Sequence, residues 1–218
     1  MDKNVKELVE LVEKVLLPQL TVRSESEYDP VAVKDIPENW KLIGKGNYAA
    51  VLMHTSYEDF VVKVYGRAVD GVNKEAKVYE RLGLHPAYSQ LFYKGNKYLI
   101  LKKLTGVTLY DAVHHGIYIP ESVIKDINAA LDYARKQGLN PFDVHGKNVM
   151  MKGSHGYVVD VSDFYKKGVD KKWTDLVKAY YKIYVPVIGK YNIRIPYFLL
   201  NIIRHSYRLY RKVKRKFS

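Results

Sequence analysis

A change of pattern near Gly106 constrains this chain more than any other feature. Before it, short β-rich runs alternate with turn residues; after it, apolar residues recur mostly at helical spacing. Trp40-Lys41-Leu42-Ile43 runs into Gly44-Lys45-Gly46, and Tyr48-Ala49-Ala50-Val51-Leu52-Met53 follows. Phe60-Val61-Val62-Lys63-Val64-Tyr65, rich in β-branched residues, predicts a third strand. Leu91-Phe92-Tyr93 and Tyr98-Leu99-Ile100-Leu101, joined by Lys94-Gly95-Asn96-Lys97, predict a hairpin. One helix is expected over residues 4–17, ending before Pro18, and another from Lys74 to Leu82. Beyond Gly106 the spacing predicts helices over 108–114, 121–136, 173–188 and 196–216. A polar loop runs from Asn140 to Asn148, with Val149-Met150-Met151 and Tyr157-Val158-Val159 as short strands around it. Strands followed by helices predict an α+β arrangement of two lobes.

At 218 residues and 47% hydrophobic, the chain is long and apolar enough to bury a core. It has no cysteine, which excludes disulfide scaffolds and thiolate metal sites. The opening residues alternate charge with apolar side chains, unlike a secretory leader, and no apolar run reaches the ~20 residues needed to cross a bilayer. A cytoplasmic location is therefore expected. The net charge of +13 attracts polyanions: nucleotides, nucleic acid or anionic lipid.

Four features carry candidate chemistry. The glycines of Ile43-Gly44-Lys45-Gly46 let backbone amides approach a phosphate without a Cβ in the way, although such a turn also serves as a plain hairpin. Lys63 sits centrally in an apolar strand, where a buried ammonium must be compensated; an outward-facing edge lysine is the simpler use. Asp143 and Asn148 lie five apart in a polar loop that leads into an apolar strand, and offer a carboxylate for an incoming hydroxyl and an amide oxygen for a metal. Asp160 follows the strand Tyr157-Val158-Val159 and would complete a magnesium site, since magnesium takes one or two carboxylates plus substrate phosphates. Singly, Asp143 and Asn148 could cap a turn, and Asp160 could merely end a strand.

In this order the features resemble the protein kinase superfamily, specifically the small bacterial serine/threonine-kinase-like proteins with a truncated helical lobe. The resemblance covers roughly residues 38–180. It implies a bilobal kinase-like fold spanning 1–218: an N-terminal helix and lead-in (1–37), a β-rich N-lobe (38–104) and a reduced helical C-lobe (105–218) with a basic C-terminal helix. It also implies ATP and Mg2+. Ile43, Gly44, Lys45, Gly46 and Val51 would then cover the phosphates, with Ala49 in the place of a third glycine. Lys63 would pair with phosphate and be held by Glu75, for which Glu80 is the competitor. Leu101 would be the gatekeeper, and backbone groups of Lys102 to Leu104 would bind adenine. Asp143 would be the base, with Asn148 and Asp160 on magnesium.

Departures from the family pattern concern regulation and substrate. His-Arg-Asp is replaced by Pro141-Phe142-Asp143, so the arginine that grips a phosphorylated activation loop is missing. His145 stands where protein kinases often carry lysine. Asp-Phe-Gly appears as Asp160-Val161-Ser162, with Asp163-Phe164-Tyr165 as a rival alignment. No Ala-Pro-Glu motif follows, and Asp175 is the candidate brace for the Asp143 loop. The acceptor implied is a protein serine or threonine hydroxyl, with a small-molecule or lipid-sugar hydroxyl, or a nucleotide-binding pseudokinase scaffold, as alternatives.

From Arg204 to Lys216 seven basic residues occur with no acid among them. Such a segment can pack on the lobe with a solvated basic end, lie on an anionic membrane at its inner face, or bind nucleic acid; no nucleic-acid fold is recognisable. The seven histidines form no ligand set, with His114-His115 expected at a helix end and His155 in a turn. The sequence does not indicate an oligomeric state.

Overall fold

The computed structural model describes residues 2–25, 29–66 and 69–216, without the side chains of Val69, Arg208 and residues 210–216. The basic side chains of Arg211 to Lys216, and Phe217, fall outside the described residues. Helix α1 (Lys3–Leu11) passes into a wider π-helical stretch, Val12–Leu16, and a last turn, α2 (Leu17–Gln19). The helix thus runs past the expected stop at Pro18. A proline without an N–H fits where the ladder has already shifted, Leu17 N–H bonding Val12 O. Next come a ribbon of β1 (Thr21–Arg23) with β2 (Ala32–Lys34), then β3 (Trp40–Lys45), β4 (Ala49–His54) and β5 (Phe60–Tyr65). Helix α3 (Val69–Leu82) leads to β6 (Leu91–Lys94) and β7 (Tyr98–Lys102). The main sheet is antiparallel in the order β3-β4-β5-β7-β6, so the strand bearing Lys63 lies at its centre.

The second half holds β8 (Val107–Thr108), α4 (Leu109–His115), α5 (Glu121–Lys136), β9 (Val149–Lys152), β10 (His155–Val158) and α6 (Lys172–Ala179). A π-helical stretch Tyr180–Gly189 contains Pro186, and α7 (Tyr197–Lys216) follows. His155 opens β10 instead of sitting in a turn. The turn is Gly153-Ser154, with Gly153 at φ +59°, and it brings His155 opposite Lys152.

The pleat of the sheet decides what packs where. Ala50, Leu52, Val62, Val64, Tyr98 and Ile100 face one side and bury against Leu8, Val12, Leu16 and Trp40. The residues between them, Ala49, Tyr65, Leu99 and Leu101, face the other side. There they join a core that continues through Ala76 and Leu82 of α3 to Ile124, Ile127 and Leu131 of α5. Val51, Lys63 and Leu99 are cross-strand partners, so Lys63 lies on the face turned toward α3 and the helical half. The two halves are also pinned directly: Tyr88 pairs with Val158, and the hydroxyls of Tyr88 and Tyr133 donate to Ala130 O and Leu82 O, each at 2.7 Å.

Candidate functional site

Lys63 carries the geometry of the cleft. Its side chain is 11% exposed, and its Nζ donates to Glu75 Oε1 at 2.8 Å and to Asp160 Oδ1 at 3.3 Å. Burial alone would push the Lys63 ammonium down, but Asp160 and Glu75 outweigh it and hold its pKa above the ordinary lysine value. Glu75 is wholly buried, and burial raises its carboxyl pKa against the pull of Lys63. Its second oxygen accepts the Tyr65 hydroxyl. Tyr65 follows Lys63 by two residues and so points to the same face of β5. Glu80, the competing partner for Lys63, is exposed on α3, and among the described residues Glu75 alone of the two meets the lysine.

Asp160 and Asp163 separate clearly. Asp160 lies just beyond β10, where Val159 N–H bonds Asn148 O at 3.0 Å and ties the two metal candidates' segments together. Its Oδ1 also accepts the Ser162 amide at 3.0 Å. Burial works against the Asp160 carboxylate, yet Lys63 and the Ser162 amide hold its pKa below the ordinary value. Its side chain keeps 37% of its surface exposed. Asp163 is instead buried and paired with Lys166 at 2.7 Å.

The Asn140–Asn148 loop is shaped by hydrogen bonds to its backbone. Asp143 sits at φ +60°, a left-handed conformation costly for a non-glycine residue and held only by its surroundings. Its amide donates to Asp170 Oδ2 at 3.1 Å, and its carbonyl accepts Asn148 Nδ2 at 3.0 Å. Its carboxylate Oδ1 is ion-paired with Lys172, and His145 Nε2 stands 3.9 Å away. Burial lowers the imidazole pKa of His145, with Lys172 acting the same way and Asp143 against it. The brace of this loop is therefore Asp170, not Asp175, whose carboxylate accepts the Tyr207 hydroxyl on α7. Sequence reasoning also missed Lys172. Neither residue stands in a periodic pattern, and only the fold brings them to Asp143.

The remaining candidates line the approach. A bulge between Leu42 and Gly44 lifts Ile43 to the surface, and Gly46 N–H closes the turn on Ala49 O at 2.9 Å. A Cβ built at Gly44 or Gly46 meets nothing within 4 Å, and neither glycine has a left-handed φ. The local fold therefore does not require glycine at either position. Lys45 ends β3, and Val51 pairs with both Gly44 and Lys63. Leu101 is buried between Val61 and Leu91. The Lys102 main chain is already engaged, its N–H with Gln90 O and its carbonyl with the Ser89 hydroxyl. Among the described residues the Leu104 amide has no backbone partner.

Lys63, Glu75 and Asp160 thus meet directly, Asn148 and Asp143 are bonded to each other, and the Asn148–Val159 bond joins the two sets. Among the described residues no three His, Cys, Asp or Glu side chains form a metal cluster. The donors Asn148 and Asp160 do fit magnesium, which needs few protein oxygens when phosphates supply the rest.

No protein-family model matches the chain. A protein of Bacillus subtilis (strain 168) named "Putative serine/threonine-protein kinase YrzF" is 32% identical over 190 residues, covering 85% of this chain and 86% of that one. Two solved structures are more distantly similar. One, of the Rad53 kinase domain and SCD2, is 20% identical with a TM-score of 0.43 over 57% of this chain and 51% of that one. The other, Rad53 1-466 in complex with AMP-PNP, is 18% identical with a TM-score of 0.44 over 62% and 47%. The chain spans about half the length of each of these two.

Proposed function

The chain belongs to the protein kinase superfamily, alongside the small bacterial serine/threonine-kinase-like proteins, and from that premise we propose that it transfers the γ-phosphoryl group of ATP to a protein serine or threonine hydroxyl. The observation that carries this reading is Lys63 within hydrogen-bonding reach of both Glu75 and Asp160, so that β5, α3 and the loop after β10 meet at one ammonium. A buried cation held by two carboxylates is poised for phosphate oxygens, which exchange one anionic partner for another.

In this reading the lobes 38–104 and 105–218 close on the nucleotide. Gly44 and Gly46, which the fold does not need as glycines, leave room for phosphate against backbone amides. The Leu104 amide serves adenine at the hinge, beside Leu101. Asn148 and Asp160 would hold magnesium, which when bound supplies charge neutralisation across the phosphate oxygens. The acceptor hydroxyl oxygen forms the new bond to phosphorus as the bond to the bridging oxygen of ADP breaks. The hydroxyl proton passes to Asp143 Oδ2, since Lys172 occupies Oδ1. Lys172 also places a positive charge beside the transferring group, a task the neutral His145 does not perform at neutral pH.

A small-molecule or lipid-linked hydroxyl is the second reading. It is favoured by the connection from Asp160 to Lys172, which contains no helix or strand and returns at once to Asp143 through Asp170 and Lys172. Little chain is left there to form a platform for a peptide. Magnesium-dependent ATP turnover tests the phosphotransfer reading. Asp160→Ala is expected to lower it by roughly 10²-fold or more, while Asp163→Asn retains most of it. Full activity in Asp160→Ala, or the reverse order of the two variants, contradicts the assignment.

A further inference from the structure

Helix α7 is mounted inside out. Its inward face is held by hydroxyls and stacked rings: the Tyr197 ring stacks on Tyr110 and His114 and its hydroxyl donates to Asp111 at 2.9 Å, Asn201 accepts the Tyr110 hydroxyl at 3.0 Å, and the Tyr207 hydroxyl donates to Asp175 at 2.8 Å. Its outward face is mostly apolar, with His205 and Ser206 exposed among the apolar residues. Phe198, Ile202 and Leu209 recur at helical spacing and are 62%, 56% and 64% exposed. A helix at a protein surface ordinarily turns such a stripe inward. The segment before it also exposes Ile183, Val187 and Tyr191, so exposed apolar side chains are not confined to the helix.

The charge around this surface is as one-sided as the helix. From Leu176 to Ser218 the sequence has eleven Lys and Arg and no Asp or Glu, whereas the other 175 residues nearly balance at 25 basic against 23 acidic. Lys182, Lys190 and Arg194, in the segment leading to α7, are exposed. A symmetric second copy would cover the apolar stripe by setting this basic stretch against another like it, like charge facing like charge. Nucleic acid would answer the charge and could stack a base on Phe198, but it has no use for exposed Ile202 and Leu209. An anionic lipid surface answers both, because headgroups meet the cations while the acyl boundary takes the apolar face. No described helix is long and apolar enough to cross a membrane, so the geometry is that of a helix lying in the interface plane.

We propose that α7, with the segment leading into it, is a docking surface for anionic bilayers. The inward face also touches the site, since Tyr110, bonded to Asn201, donates its amide to Gly146 O at 2.9 Å within the Asp143 loop. Docking would therefore hold the cleft at a set distance from the lipid surface. This inference stands on exposure and charge and does not depend on the phosphotransfer reading.

Co-sedimentation of the full chain with vesicles tests it. Binding is expected to vesicles of phosphatidylcholine with phosphatidylserine, and not to phosphatidylcholine alone. The triple variant Phe198→Ser, Ile202→Ser, Leu209→Ser is expected to weaken binding by about tenfold or more. A Phe198→Trp variant gives a second readout that needs no disruptive change: its emission should shift to the blue with anionic vesicles, against the buried Trp40 and Trp173. Three results would overturn the proposal. They are no pelleting of the wild type with anionic vesicles, no shift in the Trp variant, and undiminished binding by a folded triple variant, which would mean charge pairing of the kind nucleic acid also satisfies. Sedimentation equilibrium showing a wild-type dimer abolished by the triple variant, without vesicle binding, would assign the face to a second copy instead.

Discussion

The cleft and the outer face of α7 treat charge in opposite ways. In the cleft, the ionised groups have opposite partners: Lys63 has Glu75 and Asp160, Asp143 has Lys172, and Asp163 has Lys166. Around α7, cations accumulate with no acid in the same stretch of sequence. The difference follows from solvent. A charge withdrawn from water is costly unless answered, so pairing fixes where buried groups stand. A charge left in water needs no internal answer, and a long one-sided run with apolar side chains exposed beside it points to something outside the chain.

The largest effect that could break this comparison comes from Lys63→Met. It should abolish most turnover and lower unfolding free energy by about 3 kcal/mol, because Glu75 is left buried without its ammonium. The deficit should shrink as pH falls. Burial already raises the Glu75 pKa, and a protonated carboxyl no longer needs the cation. Urea unfolding at two pH values measures both; a variant as stable as the wild type would mean that pairing does not organise the cleft.

A smaller effect involves His145. Its folded-state pKa is lowered, so the folded protein resists taking up the proton and should lose stability as pH falls below the ordinary imidazole value of about 6.5. His145→Gln should flatten that limb, by less than about 1.4 kcal/mol per pH unit, in thermal melts run between about pH 7.5 and 5. An unchanged limb would assign the acid sensitivity to other groups. The smallest effect sharpens the comparison from within the cleft. Because a Cβ at Gly46 meets no atom, Gly46→Ala should change stability by less than about 0.5 kcal/mol while raising KM for Mg·ATP. A large loss of stability would make that glycine a requirement of the fold and remove it as support for a phosphate.

Much of the site could be read before the fold because strong local patterns carried it. Lys63 stood out as a charge in a β-branched strand, and Asp143 with Asn148 as a spaced pair before an apolar strand; in the sequence only the family resemblance prefers Glu75 to Glu80, another acid on the same helix. Other parts had no local signal. The β1–β2 ribbon has three residues a side and β8 only two, too short for any period to show. Asp170 and Lys172 reach Asp143 across the chain, while Asp175, the residue expected to brace that loop, lies against Tyr207. For α7 the spacing identified a helix, but apolar spacing alone does not say which face turns outward. The usual assumption, apolar side in, is the one this helix reverses.

Manganese-loaded ATP, added to isotope-labelled protein and followed by nuclear magnetic resonance, tests the shared cleft most directly. The paramagnetic ion broadens signals only near where it rests. The signals of the Asn148 side-chain amide, Ser162 and Gly44 to Gly46 are expected to vanish first, while those of Phe198, Ile202 and Leu209 stay sharp. Broadening centred on α7 with the cleft signals intact would place the triphosphate on the basic surface and contradict the account.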